Sequence, residues 1–259
     1  MKKLFYLIIL VCFVFKTNQS IAQEPCAFDI LLRGNPDYAG NAAMLEQDMA
    51  CQNILKIQTG HIIRIRVAVH VIHRVGIAEG NQENISVNQI QSMIEVLNAD
   101  FRKQGLGNGD GVDTEIEFCL AQTDEFGNPT NGITRHASDD FASPNIINRL
   151  EPDNLLTFKG SISWDHTRYL NIWVVRSILQ DSVVSSIAGY SYVPGIFGPG
   201  RDGVVIDNNF AGRIGTSSNL GRTITQEVGH YLHLYHTFEG DDPNDDNIFT
   251  CPTDPNGCG

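Results

Sequence analysis

The chain has 259 residues, of which 42% are hydrophobic, and it carries a formal net charge of −12 at pH 7. That charge argues against nucleic acid or an anionic membrane as a partner, because both repel an acidic protein. The length suffices for one substantial hydrophobic core, or for a core and a small subdomain.

The N-terminus has the pattern of a secretory signal. Two lysines precede an apolar run from Leu4 to Phe15, and residues 20–22 resemble a cleavage site. The run has 12 residues and is too short to cross a bilayer, which takes roughly 20. We therefore predict that residues 1–22 are removed and that the mature protein is secreted or periplasmic. Because the signal contains three lysines and no acidic residue, the mature formal charge is −15.

Five cysteines follow the signal. In an oxidising compartment an odd number leaves at least one thiol outside intrachain disulfides. Cys26 with Cys51 is one candidate pair and Cys251 with Cys258 is another, although spacing alone does not fix the connectivity. Cys119 lies in the apolar sequence "EIEFCLA", which predicts a buried strand residue.

The first regular elements predicted are a strand and a helix. Residues 62–74 alternate between apolar and polar side chains, which is typical of a strand. Between Ser86 and Lys103 the apolar period changes to three and four, which predicts an amphipathic helix that covers a sheet. Ser86 and Gln89 have the spacing of a capping box at its start, and Gly105 is placed for a C-terminal cap.

Four further strands are predicted from apolar segments between turn-forming residues. They are residues 115–122, 169–176, 187–193 and 203–207. Residues 123–168 have a loop-like composition, from which no element is predicted. The order of strands and helices predicts an α+β or mixed α/β sheet with its helices on one side.

The segment "TITQEVGHYLHLYHTF", residues 223–238, has the composition of a metal site. Thr223 and Gln226 have the spacing of a second capping box, so a helix is predicted to begin at Thr223. At about 100° per residue, that helix places four polar side chains on one face. They are Gln226, Glu227, His230 and His233. Imidazoles on one helix face bind a metal ion, and a carboxylate beside them acts as a base.

The same segment resembles the HExxHxxGxxH motif of metzincin zinc peptidases. Together with "IQSMIEVLNADFRK", "IEFCLA", "NGITRH" and "YLNIWVV", it is similar to the pappalysin family, in particular to its cytophagalysin-like bacterial members. The similarity extends in matching order from Ile62 to Phe238. It implies an α+β metzincin-like fold, in which a mixed twisted sheet carries a backing helix and an active-site helix. It also implies an N-terminal arm or prosegment at residues 23–58 and a catalytic domain at residues 59–259.

The resemblance implies a role for each residue that matches the family motif. Glu227 corresponds to the general base, His230 to the second zinc ligand, and His236 to the third ligand, reached after the chain leaves the helix. The implied edge strand that holds an extended peptide by β-addition comprises Ala188, Gly189, Tyr190 and Ser191. The implied function is a secreted zinc-dependent metalloendopeptidase, which hydrolyses peptide bonds with a zinc-bound water and a glutamate base.

Three departures from the family pattern bear on activity. Gln226 stands at the first zinc histidine, and its neutral amide is a weak ligand, which costs about two to three decades of affinity. His233 stands at the family's glycine, where we expect a left-handed residue at a cost of about 1–2 kcal/mol. All four methionines precede the helix, so we expect the methionine turn and most of the C-terminal subdomain to be absent.

These departures leave two functions open. The first is the zinc endopeptidase, and the second is a catalytically inactive, truncated metzincin relative that binds a peptide or protein through the same cleft. Helical spacing also allows a shifted zinc site at Glu227, His230 and His233, supported by His236, which consumes the base as a ligand.

The acidic segment after Phe238 is a candidate calcium site, because carboxylate oxygens are the ligands that calcium prefers. Its aspartates are Asp241, Asp242, Asp245, Asp246 and Asp254. Their spacing is not that of an EF-hand loop, and a solvated acidic loop is the alternative.

Overall fold

The computed structural model describes residues 26–28, 31, 61–104, 111–146, 151–194, 201–217 and 220–236. The predicted signal, most of the predicted arm and the acidic segment after Phe238 lie outside these residues. The predicted cap at Gly105 lies outside them as well. The proposed cysteine pairs also fall outside, because Cys51, Cys251 and Cys258 are not among the described residues.

The described strands form two sheets. They are β1 (Ile63–His73), β2 (Ile116–Leu120), β3 (Ile133–Ala137), β4 (Asn145–Ile146), β5 (Leu170–Val175), β6 (Leu179–Gln180), β7 (Val183–Val184), β8 (Gly189–Tyr192) and β9 (Gly203–Asp207). The larger sheet has the order β2-β1-β5-β9-β8, with β3 also paired to β1, and β4-β6-β7 form the smaller sheet. In the larger sheet β8 and β9 are antiparallel, and the other described pairs are parallel. The predicted mixed sheet is therefore confirmed, and β8 is the edge strand at one end of it.

The strands predicted from apolar periodicity are all present. Each observed strand begins and ends within two residues of its predicted bounds. Residues 123–168, for which the composition predicts no element, contain β3, β4 and one helix.

The described helices are α1 (Val87–Phe101), α2 (Asp153–Ile162) and α3 (Thr223–Tyr231). α1 begins as predicted, because Ser86 Oγ accepts a hydrogen bond from Gln89 N at 3.2 Å. The other half of the predicted capping box is wrong, since the Gln89 side chain does not return to Ser86. Its Nε2 donates to the carbonyls of Asn208 and Ala211, and its Oε1 accepts from Thr216 N at 2.9 Å. Gln89 therefore attaches the start of α1 to the segment that precedes α3.

The larger sheet is buried on both faces. On one face, α1 and α3 cover a core that contains Ile172 and Val204. On the other face, Phe158 and Ile162 of α2 pack against the core around Trp173. The predicted placement of all helices on one side is wrong, because β5 and β9 are buried along their full lengths and need cover on both faces.

The edge strand β2 has one covered face. The ring of Phe118 packs against Phe101 of α1, with 4.9 Å between the ring centroids. Cys119 faces the opposite way, because successive strand residues alternate between faces, and it is exposed. The predicted burial of Cys119 is therefore wrong.

A buried ion pair lies behind β8. Lys159 Nζ donates to Glu151 Oε1 at 2.8 Å, and neither side chain is more than 1% exposed. Tyr190 OH donates to the same oxygen at 2.7 Å, and Lys159 Nζ lies 4.1 Å from the centroid of the Trp173 ring. Burial lowers the pKa of Lys159, and the Glu151 carboxylate opposes this effect. The pair joins α2 to the edge strand, and each buried charge depends on the other.

A buried histidine lies in the middle of β1. His70 Nδ1 is 2.7 Å from Thr134 Oγ1, and His70 Nε2 is 2.8 Å from Asn171 Oδ1. Because an amide oxygen only accepts, Nε2 carries the proton and donates it. Burial lowers the pKa of His70 from 6.5 to about 4. The fold therefore accommodates the neutral imidazole.

Substitution of Glu151 tests the buried pair. Glu151→Gln leaves the Lys159 ammonium without its anion, and we expect the free energy of unfolding to fall by about 3–5 kcal/mol. Urea denaturation followed by circular dichroism measures the loss. The control is Glu95→Gln, which breaks an exposed pair with Arg213 and should cost less than about 1 kcal/mol. Equal effects of the two substitutions would contradict the importance of burial.

The pH dependence of unfolding tests His70. Its folded-state pKa is lowered, so the unfolded chain takes up the proton first as the pH falls. The stabilisation is complete above pH 6.5 and decreases towards pH 4, by roughly 3 kcal/mol in total. Denaturation series across this range should give a flatter profile for His70→Gln than for the parent. His61→Gln, at an exposed position, should keep the parent profile.

Candidate metal centre

α3 begins at Thr223, as predicted, but with different local structure. Its N-cap residue is Arg222, which has a right-handed helical conformation and makes no capping hydrogen bond through its side chain. Thr223 lies inside the helix, so the predicted capping box of Thr223 and Gln226 is wrong. Gln226 is thereby available to contact the segment that follows the helix.

The C-terminal end of α3 turns the chain back towards the helix. Leu234 N donates to Gly229 O, and His233 N donates to His230 O, each at 2.9 Å. With His233 at a φ of 68°, these two bonds form a Schellman motif. The predicted left-handed residue at 233 is confirmed, and the reversal brings His236 beside the helix.

The structure brings two of the predicted ligands together. His230 Nε2 and His236 Nε2 are 3.0 Å apart. His230 Nδ1 lies 2.6 Å from Leu234 O, a carbonyl that only accepts, so Nδ1 carries the proton. The lone pair of His230 is therefore on Nε2, which faces His236. An imidazole fixed in this way through its second nitrogen is typical of a metal ligand.

Gln226 reaches the same point as the two imidazoles. Its Nε2 lies 3.0 Å from His236 Nε2. Rotation of the amide by about 180° exchanges its nitrogen and oxygen, so the oxygen can occupy the same position. The amide oxygen is the only atom of this side chain that can bind a metal ion, and it is neutral. Gln226 is therefore placed to act as a weak donor.

Cys26 belongs to the same group of donors. Its Sγ and one ring nitrogen each of His230 and His236 lie within 4.8 Å of one another. Cys26 carries no sequence signal of a metal ligand, because no local motif connects it with histidines at the other end of the chain. The odd number of cysteines after the signal is the one sequence feature that points to a thiol with a separate role.

Glu227 and His233 have different surroundings. Glu227 is fully buried, and a Cβ atom placed on Gly189 would lie 3.0 Å from Glu227 Cγ. His233 is not part of the donor group, because α3 ends before it, and its Nε2 lies 2.9 Å from Tyr235 OH. The continuous helix on which the shifted site of Glu227, His230 and His233 depends is therefore absent.

The residues predicted to bind a peptide lie in β8 or directly before it. They are Ala188, Gly189, Tyr190 and Ser191, and all four are buried. Ala188 O accepts from Asp207 N, on the side of β9. Gly189 O accepts from Ala27 N at 3.0 Å, and Cys26 forms a parallel bridge with Gly189. In this structure the free edge of β8 thus binds the backbone of the N-terminal residues.

Phe28 covers the donor group. Its ring stacks on the His230 ring, with centroids 4.0 Å apart and planes 2° from parallel. The ring presents its edge to His236, at a centroid distance of 6.4 Å. Ala27 and Phe28 are buried, at 0% and 1% exposed, and Cys26 beside them is half-buried.

The donor set fits a zinc ion. Imidazole and thiolate are the ligand types that Zn²⁺ prefers, and a carboxylate next to them is available as a base. These donors lie at the end of a helix, below the edge strand of a mixed sheet. Fold and site together place the chain in the metzincin class of metallopeptidases.

Comparison with known proteins identifies the family. The model of the M43 peptidases, described as pregnancy-associated plasma protein-A, matches residues 158–256. A promirolysin variant from Tannerella forsythia is 30% identical with a TM-score of 0.66, and the match covers 83% of this chain and 70% of that one. Mature mirolysin in complex with a cleaved peptide is 35% identical with a TM-score of 0.56, over 70% of this chain and 66% of that one. The chain belongs to the pappalysin family of metzincin metallopeptidases.

Fungal proteins are similar over a smaller part of their length. The extracellular metalloproteases of Colletotrichum graminicola and Arthroderma gypseum are 31% and 27% identical over 162 and 188 residues. These matches cover 60% and 70% of this chain, but 46% and 51% of the fungal proteins. The chain thus spans about half the length of these relatives. None of the described helices is long and apolar enough to cross a membrane.

Gly189→Ala tests the close approach of β8 to α3. The added methyl group would lie 3.0 Å from Glu227 Cγ and 3.1 Å from Val205 O, so we expect a loss of about 1–3 kcal/mol in unfolding free energy. The control is Gly160→Ala on α2, where no described heavy atom lies within 4 Å of the new methyl group. Alanine at that exposed helix position should add about 0.5–1 kcal/mol. Urea unfolding measures both, and a stabilising Gly189→Ala would contradict the contact.

Proposed function

We propose that this chain is an exported zinc-dependent endopeptidase whose catalytic residue is Glu227. The observation that carries the proposal is the meeting of His230 and His236 near a buried glutamate, below a strand edge that accepts backbone hydrogen bonds. Membership of a peptidase family supports a peptide or protein as the substrate.

The edge strand β8 binds the substrate in an extended conformation. Gly189 O accepts a hydrogen bond from Ala27 N in this structure, and it accepts from a substrate amide once the N-terminal residues have left. The absence of a side chain at Gly189 allows Glu227 to lie against the strand. The scissile bond is thereby held over the carboxylate that has to act on it.

His230 and His236 would hold the zinc ion, and Gln226 would add a weaker donor. When bound, zinc polarises the scissile carbonyl and lowers the pKa of the attacking water. A carboxylate oxygen of Glu227 accepts the proton of that water and delivers it to the leaving amine nitrogen. His230 keeps its orientation through the Nδ1 bond to Leu234 O.

The N-terminal residues occupy the place of the substrate. Ala27 N makes the hydrogen bond to Gly189 O that a substrate amide would make. Cys26 and Phe28 lie against His230. A substrate cannot bind at the same time, so the proposed enzyme is latent in this form. The longer match to promirolysin, over 83% of the chain against 70% for mature mirolysin, supports a precursor segment at the N-terminus.

Gln226 favours a second function, in which the chain binds peptides without cleaving them. An amide in place of an imidazole weakens zinc binding, and without zinc the Glu227 carboxylate has no activated water to deprotonate. The edge of β8 retains its hydrogen-bonding groups in that case.

Glu227→Gln separates the two functions. In the endopeptidase, the parent chain with its N-terminal residues removed by limited proteolysis cleaves an unstructured peptide, and a chelator abolishes the cleavage. Glu227→Gln should lower kcat by about 10²–10⁴-fold, because the proton acceptor is lost while the metal ligands remain. Mass spectrometry of zinc checks that the variant keeps its metal. If the zinc-loaded parent binds the peptide without cleaving it, the chain is the binding protein.

A further inference from the structure

A cleft separate from the proposed zinc site lies at the carboxyl ends of β5 and β9. Its volume is about 630 Å³, and neither Glu227 nor a proposed zinc ligand lines it. In sheets of parallel strands, ligands bind in the crevice outside the carboxyl ends of the strands, and pockets of this size accept small molecules. The residues along its wall include Ser143, Arg176, Leu179, Val184 and Asp207.

Asp207 gives this cleft a buried carboxylate. Asp207 is 7% exposed, and its Oδ1 accepts hydrogen bonds from Asn209 N at 2.7 Å and Asn209 Nδ2 at 2.9 Å. In the described part of the chain, no group donates to Oδ2, and no lysine, arginine or histidine forms an ion pair with the carboxylate. Burial raises the pKa of Asp207 from 3.8 to about 6, because a charge is costly away from water. A ligand that brings a cation would offset this cost.

The other carboxylate of the cleft already has a cation. Arg74 Nε donates to Glu83 Oε1 at 2.7 Å, and Arg74 Nη2 lies 3.3 Å from Glu83 Oε2. Over the described ranges, no three metal-binding side chains converge in this cleft, whereas calcium takes about six to eight oxygen ligands. An organic cation therefore suits Asp207 better than a metal ion.

Arg176 places a positive charge beside Asp207. Val175 and Asp207 are partners across β5 and β9, and Asn208 N donates to Val175 O at 2.8 Å. Arg176 follows Val175 directly, and it is exposed at the cleft. The two charges line one cleft without pairing with each other in the described structure, so a ligand with charges of both signs would satisfy both.

Ser143 lies on the other side of Arg176. Arg176 N donates to Ala142 O at 2.7 Å, which brings the two segments together. Ser143 Oγ accepts from Ser177 Oγ at 3.0 Å, so the Ser143 hydroxyl proton is left to donate to a ligand. A guanidinium and a hydroxyl donor side by side suit a carboxylate.

We infer that this cleft binds a free α-amino acid, whose ammonium group pairs with Asp207 and whose carboxylate is held by Arg176 and Ser143. Leu179 and Val184 line the same cleft, which favours an aliphatic side chain on the ligand. This function goes beyond the proposed peptidase, because neither zinc nor Glu227 takes part in it.

Titration calorimetry of the full chain without zinc tests the inference with three probes. L-leucine carries both charges, L-leucinamide only the ammonium, and N-acetyl-L-leucine only the carboxylate. We expect L-leucine to bind at one site with a dissociation constant of about 1 mM or below. Each probe that lacks one charge should bind about 10–100-fold more weakly, because a charge-assisted contact is lost.

Two variants assign the charges to residues. Asp207→Asn keeps an oxygen that accepts from Asn209, and it should weaken L-leucine binding by about 10–100-fold. Arg176→Gln, at an exposed position, should weaken L-leucine binding by about tenfold and leave L-leucinamide binding unchanged. The control is Asp113→Asn, which removes a carboxylate paired with Arg102 and should bind L-leucine as the parent does. Thermal unfolding checks that each variant is folded, and if Asp207→Asn is not, the Arg176→Gln comparison decides.

The outcomes are separate from those of the proposed function. No saturable binding of L-leucine by the folded parent would overturn the inference, as would an unchanged affinity in a folded Asp207→Asn or in Arg176→Gln. Tighter binding of L-leucyl-L-leucine would refute a free amino acid as the ligand, and calcium that displaces L-leucine from Asp207 would assign the cleft to a metal ion. Binding of L-leucine by a chain that cleaves no peptide supports the cleft and refutes the enzyme, and cleavage without L-leucine binding does the reverse.

Discussion

The site depends on the way in which α3 ends. The helix by itself carries Gln226, Glu227 and His230, but the second imidazole comes from a residue beyond its last turn. The left-handed conformation of His233 and the two hydrogen bonds of the Schellman motif reverse the chain at that point. Without this reversal, His236 would continue along the helix axis, away from His230. A local backbone conformation therefore creates the pair of nitrogens from which the functional proposals follow.

The strand above this site has two different faces. Gly189 approaches Glu227 on one side of β8, whereas Tyr190 on the other side donates to a carboxylate within a buried ion pair. The strand lies at the edge of its sheet, with β9 as its strand partner on one side and the bridge to Cys26 on the other. Contacts with α3 in front and with α2 behind thus hold the backbone of β8 in place. An unsupported edge strand would leave the distance between Glu227 and the proposed peptide site poorly fixed.

The sequence predicted most of the framework, because its signals are local. Alternation of apolar and polar residues predicted β1, and an apolar period of three to four predicted α1. The left-handed turn was predicted because His233 stands at the glycine position of the family motif. α2 escaped prediction, since its buried charge, Lys159, interrupts the apolar pattern that marks a core-facing helix. The first capping box was half wrong, because Gln89 binds residues more distant in sequence than the motif assumes. The second was wrong, because the helix has Arg222 as its N-cap residue and Thr223 lies inside it.

The candidate site was predicted in the same uneven way. The family motif placed Glu227, His230 and His236 within one short segment, and the structure brings the two histidines together. Cys26 could not be found by spacing, since its approach to the histidines depends on the tertiary fold. Cys26, for which the sequence gives no local signal, is therefore the residue that joins the donor group only in the folded chain.

The role of Gln89 limits which residues that position can accept. Glutamate and glutamine serve equally well at the third position of a capping box. Gln89, however, uses its amide nitrogen to donate to two carbonyls and its oxygen to accept from a backbone amide. A carboxylate of the same size has no proton to give and would face those carbonyls with like charge. Replacement of Gln89 by glutamate, although conservative by helix rules, would therefore loosen the segment leading into α3. A distant residue with no contact to the proposed metal ligands can in this way alter their alignment.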